Sequence, residues 1–429
     1  MTAFLLITIA ILLLIGVPIG IALGAGSLLT ILKSGAFNSL IISQKILKGA
    51  GSFGLLAIPL FTLAGDVMTR GGVSDKLIYL ANKVVGRFKG GLAMVTTLAC
   101  AFFGAISGSS PATTSAIGGL MIPQMVKSGY DRDFSAATVA ASGLLGIIIP
   151  PSTTMLMYAL IADVSIAKMF LGGFIPGIIM AVSLMIVEYV VAKKRNYGSS
   201  QFELEEFKGQ KKGIILFQSF LALLSPFIIL GGIYGGIFTA TEAAGVSVAY
   251  GALVGYFIFK RLSLRQFFRS CIETGVSTSV ILFLIGAAAA FGWLLTVLQL
   301  PTLLTNAIRS FTENPAVVLL LCNIVLLIAG ALLDNAAAIT LLTPVLVPLV
   351  KSYGIDTTYF GLIMIINLSI GQITPPIGMN LFVSANISGV PIEKIVKRII
   401  PYILVLIVDL FVFTYVPGIV TFLPNLLMK

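Results

Sequence analysis

Apolar residues run along this chain in long unbroken stretches, and short polar or charged segments separate them. Continuous runs of about 20 residues predict helices that cross a membrane, whereas a barrel would show apolar and polar positions in alternation. The chain is therefore expected to be an all-α, polytopic membrane protein. Its first stretch, residues 1–14, has no basic n-region and no small-residue cleavage site, and is expected to stay as a membrane helix. Two spans are expected within residues 3–32, divided near Gly16, Val17 and Pro18.

The apolar runs are interrupted twice by adjacent prolines, in "LGIIIPPSTT" and in "IGQITPPIGMN". Shifting the chain by 225 residues superposes these breaks and more landmarks with them. Pro123 meets Pro348, Gly129 meets Gly354, Gly146 meets Gly371, Pro150 and Pro151 meet Pro375 and Pro376, and Pro176 meets Pro401. Glycine and proline fix backbone shape, so the coincidences predict two repeats of one backbone design.

Each repeat has the same order of parts. An apolar span (55–68 or 280–298) leads to a more polar segment (73–89 or 301–314). The first of these segments gathers Leu77, Leu80, Ala81 and Val84 near one helical face, as a helix lying on the membrane surface would. Two apolar arms follow, 92–106 and 112–126 around the tip Ser107-Gly108-Ser109-Ser110-Pro111, or 316–333 and 336–350 around Asp334-Asn335. Fifteen residues of helix reach about 22 Å, short of the roughly 30 Å hydrocarbon core. The arms are expected to be re-entrant hairpins; two thin or tilted spans are the alternative. A helix interrupted by the double proline comes next, then a closing span, 170–192 or 400–422. The expected organisation is N-terminal scaffold helices in 1–53, repeat one in 54–192 (hairpin 91–130, broken helix 134–160), and a cytoplasmic loop in 193–213. Further scaffold helices occupy 214–272, and repeat two 273–429 (hairpin 316–352, broken helix 357–386).

Composition agrees with this and removes other chemistry. The chain is 58% hydrophobic and 10% charged, against about 25% charged in soluble domains. It has no histidine, which excludes a Ser–His pair and His-ligated metals. The three cysteines lie in or beside apolar runs and read as small buried hydrophobes. No G-x-x-x-x-G-K-[ST] loop is present, so no ATPase of the chain's own is expected, and no enzyme activity. The formal charge of +11 comes from basic residues scattered between apolar runs, a cytoplasmic-loop pattern rather than a nucleic-acid motif.

Charge also orients the repeats. If the hairpins re-enter and the repeats are inverted, 20 of the 27 basic residues fall inside, among them Arg70, Lys76, Arg132, Arg195, Arg269 and Arg398. The seven outside are Lys33, Lys45, Lys48, Lys168, Arg309, Lys351 and Lys429. That positive-inside bias favours the inverted arrangement, and inverted repeats with broken helices near the midplane are the build of secondary transporters.

A broken helix presents unpaired carbonyls at one end and unpaired N–H groups at the other. Carbonyls and hydroxyls together suit a hard cation such as Na⁺, and N–H groups at a positive helix end suit a carboxylate. In repeat one the cation candidates are Ser107, Ser109, Ser110, Ser152 and Thr153 with carbonyls from Gly146 to Pro150. In repeat two they are Asp334, Asn335 and Thr374 with carbonyls from Gly371 to Pro375. Asp334 has two compatible roles, cation ligand and helix N-cap. The serine-rich tip has a packing alternative as a run of small residues. Asp66, Glu188, Glu242, Glu273 and Asp409 read as acids at span ends or in short connections, and Trp293 as packing or interfacial belt.

The stretches "FFGAISGSSPATTSAIGGLMIPQMVKSGYDRDFSAATVAASG", "IIPPS", "GGIYGGIFTATEAAGVSVAYG", "LLDNAAAITLLTPVLVPLV" and "IGQITPPIGMNLFV" resemble the large membrane subunit of tripartite ATP-independent periplasmic (TRAP) transporters, the DctM-like family. The resemblance covers essentially the whole chain. It implies an elevator-type, Na⁺-coupled importer of organic acids in the bacterial inner membrane, with at least two Na⁺ ions. It implies two partners: a small four-helix membrane subunit, expected as a separate chain, and a periplasmic binding protein that delivers the substrate. Cation sites would lie at Ser107–Ser110 with Pro150–Ser152, and at Asp334–Asn335 with Thr374–Pro376. Ser109, Pro111, Thr113, Thr153, Asn335, Gly378 and Asn380 are the substrate-binding candidates, for a C4-dicarboxylate or sialic acid. Competing readings are a stand-alone Na⁺- or H⁺-coupled carboxylate transporter and a channel; the paired closed tips argue against a channel.

Overall fold

The structure, a computed structural model, describes residues 1–35, 37–198 and 211–428. The cytoplasmic loop expected in 193–213 lies largely outside the described residues, at 199–210, as does Lys429. Every regular element among the described residues is helical. The first half contains α1 (Thr2–Leu14), α2 (Ile19–Ser34), α3 (Leu40–Ala50), a 3₁₀ turn at Phe53–Leu56, α4 (Ala57–Arg70), α5 (Val73–Val85), α6 (Gly91–Ser107), α7 (Ser110–Lys127), α8 (Arg132–Ser142), α9 (Leu145–Ile148), α10 (Thr153–Ala162) and α11 (Ile166–Arg195). The second contains α12 (Lys212–Tyr234), α13 (Ala240–Leu253), α14 (Leu264–Val297), α15 (Leu300–Arg309), α16 (Pro315–Leu332), α17 (Asn335–Ser352), α18 (Thr357–Gly371), α19 (Met379–Ser388), α20 (Ile392–Tyr415) and α21 (Pro417–Leu427).

Seven helical segments are long and apolar enough to cross a membrane, or nine if each bent helix pair is one span. Outward-facing positions of α12 and α14, such as Phe217, Phe220, Phe268 and Val276, are exposed and apolar, as a lipid-facing surface requires. α1 and α2 are shorter, about 20 and 24 Å at 1.5 Å per residue.

The element bounds repeat at the offset seen in the residues. Subtracting 225 from the bounds of α17, 335 and 352, gives 110 and 127, the bounds of α7. The same subtraction takes α16 from 315–332 to 90–107, against 91–107 for α6. α6 packs on α7 and α16 on α17, so each pair is a helical hairpin. Across the halves, α10 packs against α17 and α19 against α7. The helix after each double proline thus leans on the other half's hairpin.

One pair of counterparts differs. α14 is a single helix of 34 residues, while its counterpart is divided into α3, the 3₁₀ turn and α4. Gly49, Gly51 and Gly54 stand where α14 has Thr274, Val276 and Ser279, and each glycine costs a helix interior up to about 1 kcal/mol. A capping box at Ser263 and Gln266 starts α14 well before the apolar span expected at 280–298.

Three expectations are corrected. The closing span of repeat two is not one helix: α20 and α21 meet at a 59° bend. Pro417 has no N–H to continue the ladder and pushes Val416 out of the helical region, to φ −122°. Glu188 and Asp409 do not sit at span ends: both lie inside long helices and are 0% and 7% exposed. Glu188 accepts a hydrogen bond from the Thr97 hydroxyl, and Asp409 one from Ser183 Oγ at 3.0 Å, so hydroxyls of neighbouring helices receive one oxygen of each. α5 does more than line a surface: it packs against α6 and α12 and buries Lys76, Leu77 and Ile78.

Candidate functional site

In repeat one the hairpin tip sits against the helix break. α6 ends at Ser107, Gly108 turns in the left-handed region at φ +60°, and the extended Ser109 stands at the N-cap position of α7 without a side-chain cap bond. Gly108 O accepts from both Thr153 Oγ1 (2.9 Å) and Thr153 N (3.3 Å), so the tip is bonded to the first residue of α10. Ser107 Oγ lies 2.8 Å from Thr113 Oγ1, which also donates to Ser109 O at 2.8 Å. Ser152 Oγ lies 2.8 Å from Thr154 Oγ1 and accepts from Met155 N, capping α10. Pro150, Pro151 and Ser152 are buried between α9 and α10, where the helical run from α8 through α9 bends by 43° into α10. Pro111 takes an N-terminal position of α7, where its missing N–H has no helical partner to lose.

Gly146 is what allows the approach. A Cβ there would lie 2.4 Å from Thr113 Oγ1 and 2.7 Å from Ser109 O. The cation candidates Ser107, Ser109, Gly146, Pro150, Ser152 and the neighbouring Thr153 thus come from segments in contact. A cavity of about 420 Å³ opens beside Ser107 and Ser109. Thr62, Asp66 and Thr69 of α4 and Thr274 and Ser277 of α14 form walls of it. Its two carboxylates are neutralised: Arg70 pairs with Asp66 at 2.8 Å and with Glu273, and Arg269 with Glu273 at 2.6 Å.

In repeat two the tip and break approach through glycines one turn earlier. A Cβ on Gly371 would lie 2.3 Å from the Gly330 carbonyl carbon. Asp334 Oδ2 accepts from Ala336 N at 3.0 Å, the N-cap role of the two read from the sequence. Asn335 is 2% exposed, and neither its amide oxygen nor its nitrogen has a hydrogen-bond partner among the described residues. Thr374 Oγ1 donates back to Ile370 O at 2.8 Å, and Pro375 and Pro376 are exposed. Among the described residues, no hydrogen bond joins Asp334 or Asn335 to Thr374, Pro375 or Pro376. This end of the pair is open where the first is closed. Pro150–Pro151 and Pro375–Pro376 are both cis.

The substrate candidates divide between the two ends. Ser109, Thr113 and Thr153 are in the first cluster, Asn335 and Gly378 in the second, and Asn380 joins them. Asn380 Nδ2 donates to Ser110 Oγ at 2.7 Å and to Ala140 O at 3.0 Å. Gln372 was not singled out by the sequence. It is 2% exposed, its Oε1 has no hydrogen-bond partner among the described residues, and its backbone oxygen accepts from Asn380 N at 3.1 Å. A polar amide beside a double proline in an apolar run was the available signal.

Three ends that the charge count places on one side are joined by ion pairs. Arg398 of α20 pairs with Asp133 at 2.7 Å and Asp131 at 3.6 Å, and Arg195 of α11 pairs with Asp131.

The family model and the relatives at 34–40% identity agree on one family. The family model for the tripartite ATP-independent periplasmic transporter, DctM component, matches residues 6–419. The chain is 39% identical over 405 residues to the C4-dicarboxylate TRAP transporter large permease protein DctM of Pseudomonas aeruginosa, covering 94% of each. It is 40% identical over 413 residues to the isethionate TRAP transporter permease protein DctMQ of Oleidesulfovibrio alaskensis, covering 96% of this chain and 65% of that relative. It is 34% identical to the sialic acid TRAP transporter large permease protein SiaM of Vibrio cholerae, covering 97% of each. The crystal structure of the Alcanivorax borkumensis YdaH transporter shares the fold, at a TM-score of 0.66 and 16% identity, over 88% of this chain and 87% of that one. The chain is a multi-pass membrane protein that belongs to the DctM component family of tripartite ATP-independent periplasmic transporters.

Proposed function

We propose that this chain is the large transport subunit of a Na⁺-coupled TRAP transporter in a bacterial inner membrane. It imports a small organic acid delivered by a periplasmic binding protein and works beside a small four-helix membrane subunit. The two repeats are inverted, and the hairpins with their broken helices move as one elevator body past the scaffold helices. Each tip-and-break unit holds a Na⁺: Ser107, Ser109 and Ser152 with carbonyls near Gly146 and Pro150 in one, Asp334, Asn335 and Thr374 with carbonyls near Pro375 in the other. The organic acid binds between them, near Ser109, Thr153, Asn335 and Asn380.

The observation that carries this reading is Asn335. A buried amide with both polar atoms unpartnered costs on the order of 1–3 kcal/mol, and a cation at its oxygen would offset that. Its counterpart in the other repeat, Ser110 (335 less 225), is the residue tied to Asn380. Relatives that are named for C4-dicarboxylate, sialic acid and 2,3-diketo-L-gulonate support an organic acid as substrate. Uptake into proteoliposomes tests the reading. Accumulation that needs both a Na⁺ gradient and the binding protein supports it, and gradient-independent, non-saturating flux refutes it.

A further inference from the structure

A second cavity of about 500 Å³ lies between α3, α10, α14 and α17. It is related to the first by the repeat offset. Glu273 and Ser277 of the first cavity, less 225, are Lys48 and Ser52 of the second. The segment of α14 that lines the second, around Gly292 and Trp293, is likewise the counterpart of α4 in the first. The shared geometry carries opposite charge. The first cavity holds two carboxylates, each already paired with arginine. The second holds Lys45 and Lys48, and neither has a carboxylate partner among the described residues.

We infer that the cavity around Lys45 and Lys48 is a binding station for the transported organic oxyanion, a small carboxylate or sulfonate, on the outer side of the protein. Lys45 Nζ stands 5.5 Å from the centre of the Trp293 ring, and that cation–π contact holds the ammonium over the cavity without neutralising it. Lys48 is exposed at the rim. Ser52 and Thr296 supply hydroxyls on the wall, and the volume falls within the ~300–1,000 Å³ range of small-molecule sites. Two unneutralised ammonium groups in a walled crevice concentrate anions and speed their arrival. The inference rests on the transport reading for its direction, outside to inside, but the binding itself does not depend on Na⁺ coupling.

Trp293 is the only tryptophan in the chain, so its fluorescence reports on this cavity alone. The purified full-length chain is titrated with succinate, with isethionate and with neutral glycerol. The expected result is a saturable change with both anions and none with glycerol. Lys45→Gln and Lys48→Gln each weaken the response about tenfold, the loss of one charge-assisted contact, and Lys48→Arg restores it. A wild-type protein without a saturable anion response, or glutamine variants that respond as the wild type does, would overturn the inference. Nanodiscs of phosphatidylcholine with and without phosphatidylglycerol separate the remaining source of an anion. A signal moved by phosphatidylglycerol and unmoved by succinate makes the cavity a lipid headgroup site and overturns the inference as well. In uptake assays Lys48→Gln raises KM about tenfold with little change in Vmax. Absence of Na⁺-dependent uptake in the wild type would refute the transport reading, and the fluorescence titration would still decide the inference.

Discussion

Asn380 Nδ2 donates to Ser110 Oγ at 2.7 Å, joining the first hairpin's tip to the helix that follows the second double proline, 270 residues later. The same nitrogen donates to Ala140 O at 3.0 Å, so one amide ties α19 to both α7 and α8. The two repeats are therefore in direct hydrogen-bonded contact at the first tip. Asn380→Ala leaves two buried acceptors without their donor and should destabilise the protein by about 1–3 kcal/mol. Ser110→Ala removes one of the two bonds and should cost less. Thermal unfolding of the two single variants and the double checks this: coupling of at least ~0.5 kcal/mol is expected, and simple additivity would mean that the bond contributes nothing.

Asn335 should respond to sodium directly. A cation that binds only the folded protein raises its stability by about 1.4 kcal/mol at ten times its Kd. NaCl should raise the unfolding temperature of the wild type relative to KCl, and Asn335→Ala should lose much of that increment. Ser109→Ala and Asp334→Ala should each weaken Na⁺-dependent uptake while leaving membrane insertion intact. Wild-type Na⁺ dependence in all three variants would refute the assignment of both sites.

Gly371→Ala tests the backbone approach in repeat two. The added methyl would meet Gly330 backbone atoms at 2.3–2.7 Å, and backbone cannot rotate away as a side chain can. The expected result is a loss of several kcal/mol, read as a lower unfolding temperature or as failure to accumulate in the membrane. Gly146→Ala meets Thr113 Oγ1 first, a side-chain atom, but also Ser109 O, so it should destabilise as well and to a smaller degree.

The proposed inversion of the repeats has its own test. Lys48 and Glu273 occupy counterpart positions, and inversion places them on opposite sides of the membrane. With Cys100, Cys271 and Cys322 replaced, Lys48→Cys should react with a membrane-impermeant thiol reagent added outside. Glu273→Cys should react only with reagent inside. Labelling of both from one side would contradict inversion.

Much of the architecture was readable because prolines and glycines mark backbone shape whatever surrounds them. Pro123 and Pro348, or Gly146 and Gly371, announce the duplication without any knowledge of contacts. The tip serines and Asp334–Asn335 stood out as polar interruptions of apolar runs. Long-range pairing was not readable: nothing local in "PPIGMN" says that Asn380 meets Ser110, because that depends on how two distant helices cross. Glu188 and Asp409 were misplaced because an acid some way from a helix end looks interfacial until the helix's full length is known. Lys48 was one of seven basic residues counted outside, and only its register with Glu273, together with the cavity between the helices, gives it a setting.

If two tip-and-break units each bind a sodium ion and drive the organic acid inward, ion and substrate must cross together in a fixed ratio. Simultaneous ²²Na⁺ and substrate flux in proteoliposomes containing the complete transporter measures this directly. At least two Na⁺ should be carried with each anion, a number that falls in Asn335→Ala. Anion accumulation with no accompanying ²²Na⁺ would contradict it.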